Sequence, residues 1–139
     1  MNNIKGGCLC DSVSFLITDD LMYAGYCHCS ECRRWTGSAF SVTGGVNESK
    51  FTLVKGEACL SSFKKGENSI AYFCKNCSSI VYGKVPAHNM IFVMLGTLEE
   101  SPSLKPQWHI YTDSKLDWYQ INDDLPQFGG SQNAVGSSV

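Results

Sequence analysis

The sequence predicts a mostly β, single-domain fold with only short helical turns. Three observations carry that expectation. Apolar and polar residues alternate in short runs, as at Val13, Phe15 and Ile17, the pattern of half-buried strands. Turn-forming residues, such as Gly44-Gly45, Lys65-Gly66-Glu67-Asn68 and Pro86-Ala87-His88-Asn89, separate those runs. No window sustains a 3.6-residue apolar period for three turns, and 139 residues suit one domain with a genuine core.

In chain order, strands are expected at residues 11–18, 39–44, 51–54, 59–63, 69–73, 80–85, 90–97 and 107–112. Short helices are expected at 30–37 and at 114–119, the second opened by Ser114 as N-cap. The pair Cys74-Lys75-Asn76-Cys77 has strand-like flanks on both sides, so it reads as the turn of a β-hairpin. The domain is expected over residues 1–128, followed by a small, polar C-terminal tail at 129–139.

Composition excludes several classes of function. The formal net charge is −2, and the only paired basic residues are Arg33-Arg34 and Lys64-Lys65, so no nucleic-acid partner is expected. The longest apolar run, Met90 to Leu95, is far below the ~18 residues that span a bilayer, so no membrane partner is expected either. The N-terminus has no apolar h-region, and a reducing, cytoplasmic location follows as the expectation.

The eight cysteines are the unusual feature. Seven fall into tight groups: Cys8 with Cys10; Cys27, Cys29 and Cys32; and Cys74 with Cys77. Close neighbours suit a metal better than a loop-closing disulfide, because they bring thiolates to within about 2.3 Å of one ion at little cost in chain entropy. A redox CxxC belongs at a helix N-terminus, whereas Cys74-x-x-Cys77 sits in a hairpin knuckle. Zinc is favoured over an iron–sulfur cluster, which all-thiolate sites can also hold. Four sulfurs close a structural site and three leave a position open. The groups permit that split as Cys8, Cys10, Cys74 and Cys77 against Cys27, Cys29 and Cys32, giving two zinc ions. In the alternative, Cys59 completes the second site and both are structural. On its expected strand, Cys59 reads first as a small buried hydrophobe.

The motifs Gly7-Cys8-x-Cys10, Cys27-His28-Cys29-Ser30-x-Cys32-Arg33-Arg34-Trp35-Thr36-Gly37-Ser38-Ala39-Phe40 and Phe73-Cys74-x-x-Cys77 together resemble the glutathione-dependent formaldehyde-activating enzyme family, also called the centromere protein V-like domain. The likeness continues through Gly96-Thr97-Leu98, His109-Ile110-Tyr111, Trp118 and Asp124-Leu125-Pro126-Gln127-Phe128. It implies a zinc-bearing Mss4-like β fold, with Cys8, Cys10, Cys74 and Cys77 as structural ligands and Cys27, Cys29 and Cys32 as the catalytic set. It also implies a carbon–sulfur lyase-type reaction in which glutathione and formaldehyde give S-hydroxymethylglutathione. The chain departs from the family at Ser78, where a Gly usually follows the CxxC and serves a positive φ.

That chemistry suits an open thiolate site. A free thiol with pKa near 8.5 is largely protonated at neutral pH, and coordination removes its proton. Three thiolates on Zn²⁺ leave a net negative centre, so the metal serves better as a thiol-holder than as a carbonyl activator. Arg33 and Arg34 are candidates to pair the carboxylates of a small thiol such as glutathione. Trp35 is a candidate pocket wall and His109 a candidate proton shuttle. His28 is a fourth ligand or acid/base candidate, though crowded between ligands, and His88 reads as loop. The competing reading is a zinc-stabilised binding module without catalytic activity.

Overall fold

Two sheets, one short helix and five 3₁₀ turns account for the regular structure of residues 1–131, the part of the chain described by the computed structural model. The strands are β1 (Asn3–Gly7), β2 (Ser14–Thr18), β3 (Tyr23–Cys27), β4 (Ser41–Asn47), β5 (Phe51–Lys55), β6 (Leu60–Lys64), β7 (Ile70–Cys74), β8 (Ile80–Val85), β9 (Met90–Met94) and β10 (His109–Ile110); the helix α1 (Ser30–Thr36) follows β3. A three-stranded sheet runs β1-β2-β5, and a seven-stranded sheet runs β10-β3-β4-β9-β8-β7-β6. Neighbours are antiparallel except β10, which lies parallel to β3.

The two sheets bury their facing apolar residues in one core. Phe15 and Ile17 from β2 meet Val46, Val81, Ile91 and Val93 from the larger sheet. Phe51 bridges the two layers, 5.3 Å from the Phe15 ring and 4.5 Å from Tyr82 between centroids. The expected β class and the single domain are both found, and the hairpin around Cys74 and Cys77 is β7–β8.

Several boundaries differ from expectation, and glycine is the usual reason. β1 and β3 were not anticipated, since the glycines in Asn3-Ile4-Lys5-Gly6-Gly7 and Tyr23-Ala24-Gly25-Tyr26-Cys27 weaken the strand pattern. Their glycines mark close packing instead of turns: a Cβ at Gly6 would lie 2.3 Å from the Phe15 ring. Gly44-Gly45, read as a turn, sits inside β4, where Leu21 and Tyr23 occupy the missing side-chain space. The runs at 90–97 and 107–112 are cut short. Residues Leu95–Thr97 and Thr112–Ser114 are 3₁₀ turns, and Tyr111 takes a φ of 57°.

The expected helix at 114–119 does not form. Ser114 ends a turn and Lys115 is extended, with its Nζ donating to the carbonyls of Leu116 and Tyr119. Leu116 O also accepts from Tyr119 N–H, so the segment makes one short turn that is not continued into a helix. Gly129 and Gly130, the start of the expected tail, accept backbone hydrogen bonds from Asp113 and Tyr111. The rest of that tail, 132–139, lies outside the described residues.

Candidate metal centres and the adjoining cavity

Cys8, Cys10, Cys74 and Cys77 converge although about sixty residues separate the two pairs. The first pair sits in the tight turn after β1, where Cys8 N–H donates to Val13 O and Asp11 N–H donates to Cys8 O. The second pair sits in the β7–β8 turn, closed by Ser78 N–H donating to Cys74 O at 2.7 Å. Leu9 N–H donates to Ser79 Oγ across the two turns. All four sulfurs lie within 4.8 Å of one another, with Cys8–Cys10 and Cys10–Cys74 each at 3.8 Å. A tetrahedron with ~2.3 Å metal–sulfur bonds has an edge of roughly 3.8 Å, so the donor set fits zinc. Ser79 hydroxyl lies 3.2 Å from Cys77 Sγ and holds that thiol down at about 5; burial pushes Cys74 up to about 11.

The other three sulfurs come from the junction of β3 and α1. Cys27 ends the strand, Cys29 caps the helix with its Sγ accepting from Cys32 N–H, and Cys32 is buried on the first turn. Their sulfurs also lie within 4.8 Å of one another, and His28 is not part of that group. Cys27 gives its hydrogen bond to Cys32, which holds Cys32 down at about 5 and, with burial, pushes Cys27 up. The thiolate is the state a metal ligand requires. A fourth position has no protein sulfur among the described residues.

This group opens to a cavity and does not stand alone. A space of about 360 Å³ is lined by Tyr23, Cys27, Cys32, Trp35, Ser41 and Lys65, with His88 at its wall. A second space of about 520 Å³ shares Trp35 and Lys65 and adds Arg34, Phe63 and Lys64. Lys65 Nζ pairs with Glu31 at 3.3 Å and lies 6.0 Å from the centroid of the Trp35 ring. Burial opposes its charge, but the Cys32 thiolate and Glu31 outweigh burial and hold Lys65 above its usual range. A further cavity of about 470 Å³, lined by Phe51, Tyr72, Tyr82 and Lys84, touches neither cysteine group.

The structure separates the remaining candidates. Arg34 and Trp35 line the cavity walls, whereas the Arg33 Nε is buried without a hydrogen-bond partner. His109 is buried and does not line either space; it stacks on Tyr26 at 4.5 Å and contacts His28 Nε2 at 2.8 Å through Nδ1. Its Nε2 reaches Asp123 at 3.0 Å. Cys59 ends a 3₁₀ turn instead of opening a strand, and its Sγ accepts from Asn76 Nδ2 at 3.5 Å. Lys65, Ser41 and Asp123 were not singled out from sequence. Lys65 showed there only as half of a basic pair, and the other two carry no local signal, because their roles come from distant strands.

A family profile described as glutathione-dependent formaldehyde-activating enzyme matches residues 3–114. A protein of Emericella nidulans, provisionally named glutathione-dependent formaldehyde-activating enzyme, is 31% identical over 88 residues, covering 60% of this chain and 45% of its own length. One of Penicillium rubens with the same provisional name is 25% identical over 133 residues, covering 93% of this chain and 70% of its own. The chain thus spans about half to two-thirds of the length of these relatives. A crystal structure of a Rhodobacter sphaeroides protein, a structural genomics target, shares the fold with a TM-score of 0.58, at 23% identity, over 73% of this chain and 91% of that one.

Proposed function

The chain belongs to the glutathione-dependent formaldehyde-activating enzyme family, and from that membership we propose that it is a zinc-dependent carbon–sulfur lyase-type enzyme acting on a thiol–aldehyde adduct. The reaction is the reversible addition of the glutathione thiol to formaldehyde. The C–S bond forms, the carbonyl π bond breaks, and the thiol proton ends on the new hydroxyl oxygen of S-hydroxymethylglutathione. The observation that carries this reading is the opening of Cys27 and Cys32 into a cavity that shares Trp35 and Lys65 with a larger, cation-edged space. Both volumes lie in the ~300–1,000 Å³ range of small-molecule sites.

Cys27, Cys29 and Cys32 would hold the catalytic zinc, and Cys8, Cys10, Cys74 and Cys77 the structural one. Zinc bound at the three-cysteine group supplies a fourth position where a thiol is kept as its nucleophilic thiolate. The chain's own residues do the rest. Lys65, beside the thiolates, and Arg34, on the outer wall, offer cations to the carboxylates of the peptide thiol. The Trp35 face offers an apolar wall to its backbone. Ser41 and Tyr23 line the inner space, Ser41 bonded to the Cys32 sulfur and the Tyr23 hydroxyl 3.4 Å from Thr43 Oγ1. A reducing compartment such as the cytoplasm keeps these thiols in the form that ligation requires.

The test combines metal analysis with calorimetry. Purified protein is expected to carry two zinc ions, and Cys32→Ser to carry one. Glutathione should then bind with measurable heat, and Lys65→Ala should weaken it about tenfold, the loss of one carboxylate partner. Two zincs with no heat at millimolar glutathione, and no acceleration of adduct formation followed by NMR, would leave a zinc-stabilised binding module.

A further inference from the structure

Three residues spaced along the chain form one hydrogen-bonded line that starts at His28, between Cys27 and Cys29 in the chain. His28 Nε2 meets His109 Nδ1 at 2.8 Å, and His109 Nε2 meets the Asp123 carboxylate at 3.0 Å. Both rings are buried, at 0% and 1% exposure, between Tyr26, Phe40 and Tyr119. A carboxylate only accepts, so His109 Nε2 carries its proton and donates to Asp123. With both rings neutral, His109 Nδ1 is then the acceptor, His28 Nε2–H the donor, and His28 Nδ1 a lone pair. His28 Nδ1 is in fact buried with no hydrogen-bond partner.

Period-two geometry ties this line to the sulfurs. Cys27 and Cys29 flank His28 in extended backbone, so their side chains share one side and the His28 ring takes the other. The His28 N–H donates to Ile110 O at 3.0 Å, and β10 is itself held by His109 N–H donating to Pro126 O and Phe128 N–H donating to His109 O. Leu125 N–H donates to Asp123 Oδ1, which pins the carboxylate. Resting on the reading of Cys27, Cys29 and Cys32 as a zinc site, we infer that Asp123 and His109 are positioning residues for that site. They hold the ring and backbone of His28, and with them the two sulfurs on either side. Asp123 lies beyond the residues 3–114 that the family profile matches, so the brace comes from the C-terminal segment of this chain.

The experiment uses the zinc-loaded protein. Its ¹⁵N histidine spectrum should show His28 and His109 as Nε2–H tautomers. In chelator competition, Asp123→Ala should weaken one of the two zinc ions about 10–100-fold, the usual effect of losing a partner behind a metal site. The other ion should keep its affinity, since the Asp123 side chain is 42% exposed and its removal leaves no buried hole. Asp123→Asn, which keeps an acceptor in place, should recover most of the affinity. Unchanged zinc affinity in Asp123→Ala, equal weakening of both ions, or an Nδ1–H tautomer at His28 overturns the inference. A wild type that holds one zinc overturns it together with the proposed centre. Two zincs without glutathione binding overturn the substrate alone.

Discussion

Gly25 and Ser78 show how single residues are held by contacts that local sequence does not display. A Cβ at Gly25 would lie 2.2 Å from the Trp108 ring, which covers β3 and stacks with Tyr23. Gly25→Ala is expected to cost ~1–3 kcal/mol by overpacking, seen as a lower denaturant midpoint at unchanged slope. Ser78 stands in the knuckle at φ 67°, the left-handed region where a Gly was anticipated. Ser78→Gly should therefore stabilise the protein by ~0.5–1 kcal/mol after glycine's own entropy cost. An unchanged or lower unfolding midpoint would contradict the strain argument.

At the scale of elements, short connections carry the load that long helices carry elsewhere. The segment after the Leu95–Thr97 turn is strapped to the β2–β3 loop by Asp19, which accepts from Ser103 N–H and Ser103 Oγ. Those hydrogen bonds hold the Asp19 carboxyl below the usual carboxylate range. A depressed folded pKa contributes stability in full above the unfolded value of ~3.9 and loses it as pH falls through the folded value. Asp19→Asn should lower stability modestly at neutral pH and leave it nearly unchanged at the acid extreme, so that the acid limb of the stability curve flattens. A parallel downward shift at every pH would point to lost packing instead. The hairpin β7–β8 was readable because its alternation is local, whereas β1, β3 and the 112–119 turns depend on partners elsewhere in the chain.

For the whole molecule, the four-sulfur cluster joins the N-terminal turn to the central hairpin, Cys10 to Cys74, and so closes the smaller sheet on the larger. Zinc bound there couples metal to folding. Chelation is expected to lower the melting temperature of the wild type sharply and of Cys10→Ser only slightly, since that variant has already lost the clip. Equal shifts in the two proteins would place the structural metal elsewhere. The partition of thiols was legible because ligand spacing is a property of neighbouring residues, and the structure brings together the same four and the same three. The β class was legible for the same reason, since period two is written in adjacent positions. Glycines that serve packing were misread as turns, because a missing Cβ signals freedom in sequence and closeness in a fold. The cavity at Cys27 and Cys32, the place of Lys65 in it, and the line from Asp123 to His28 were decided only by tertiary structure. Each joins residues from strands or turns far apart in the chain, and no local periodicity encodes which distant side chains will meet.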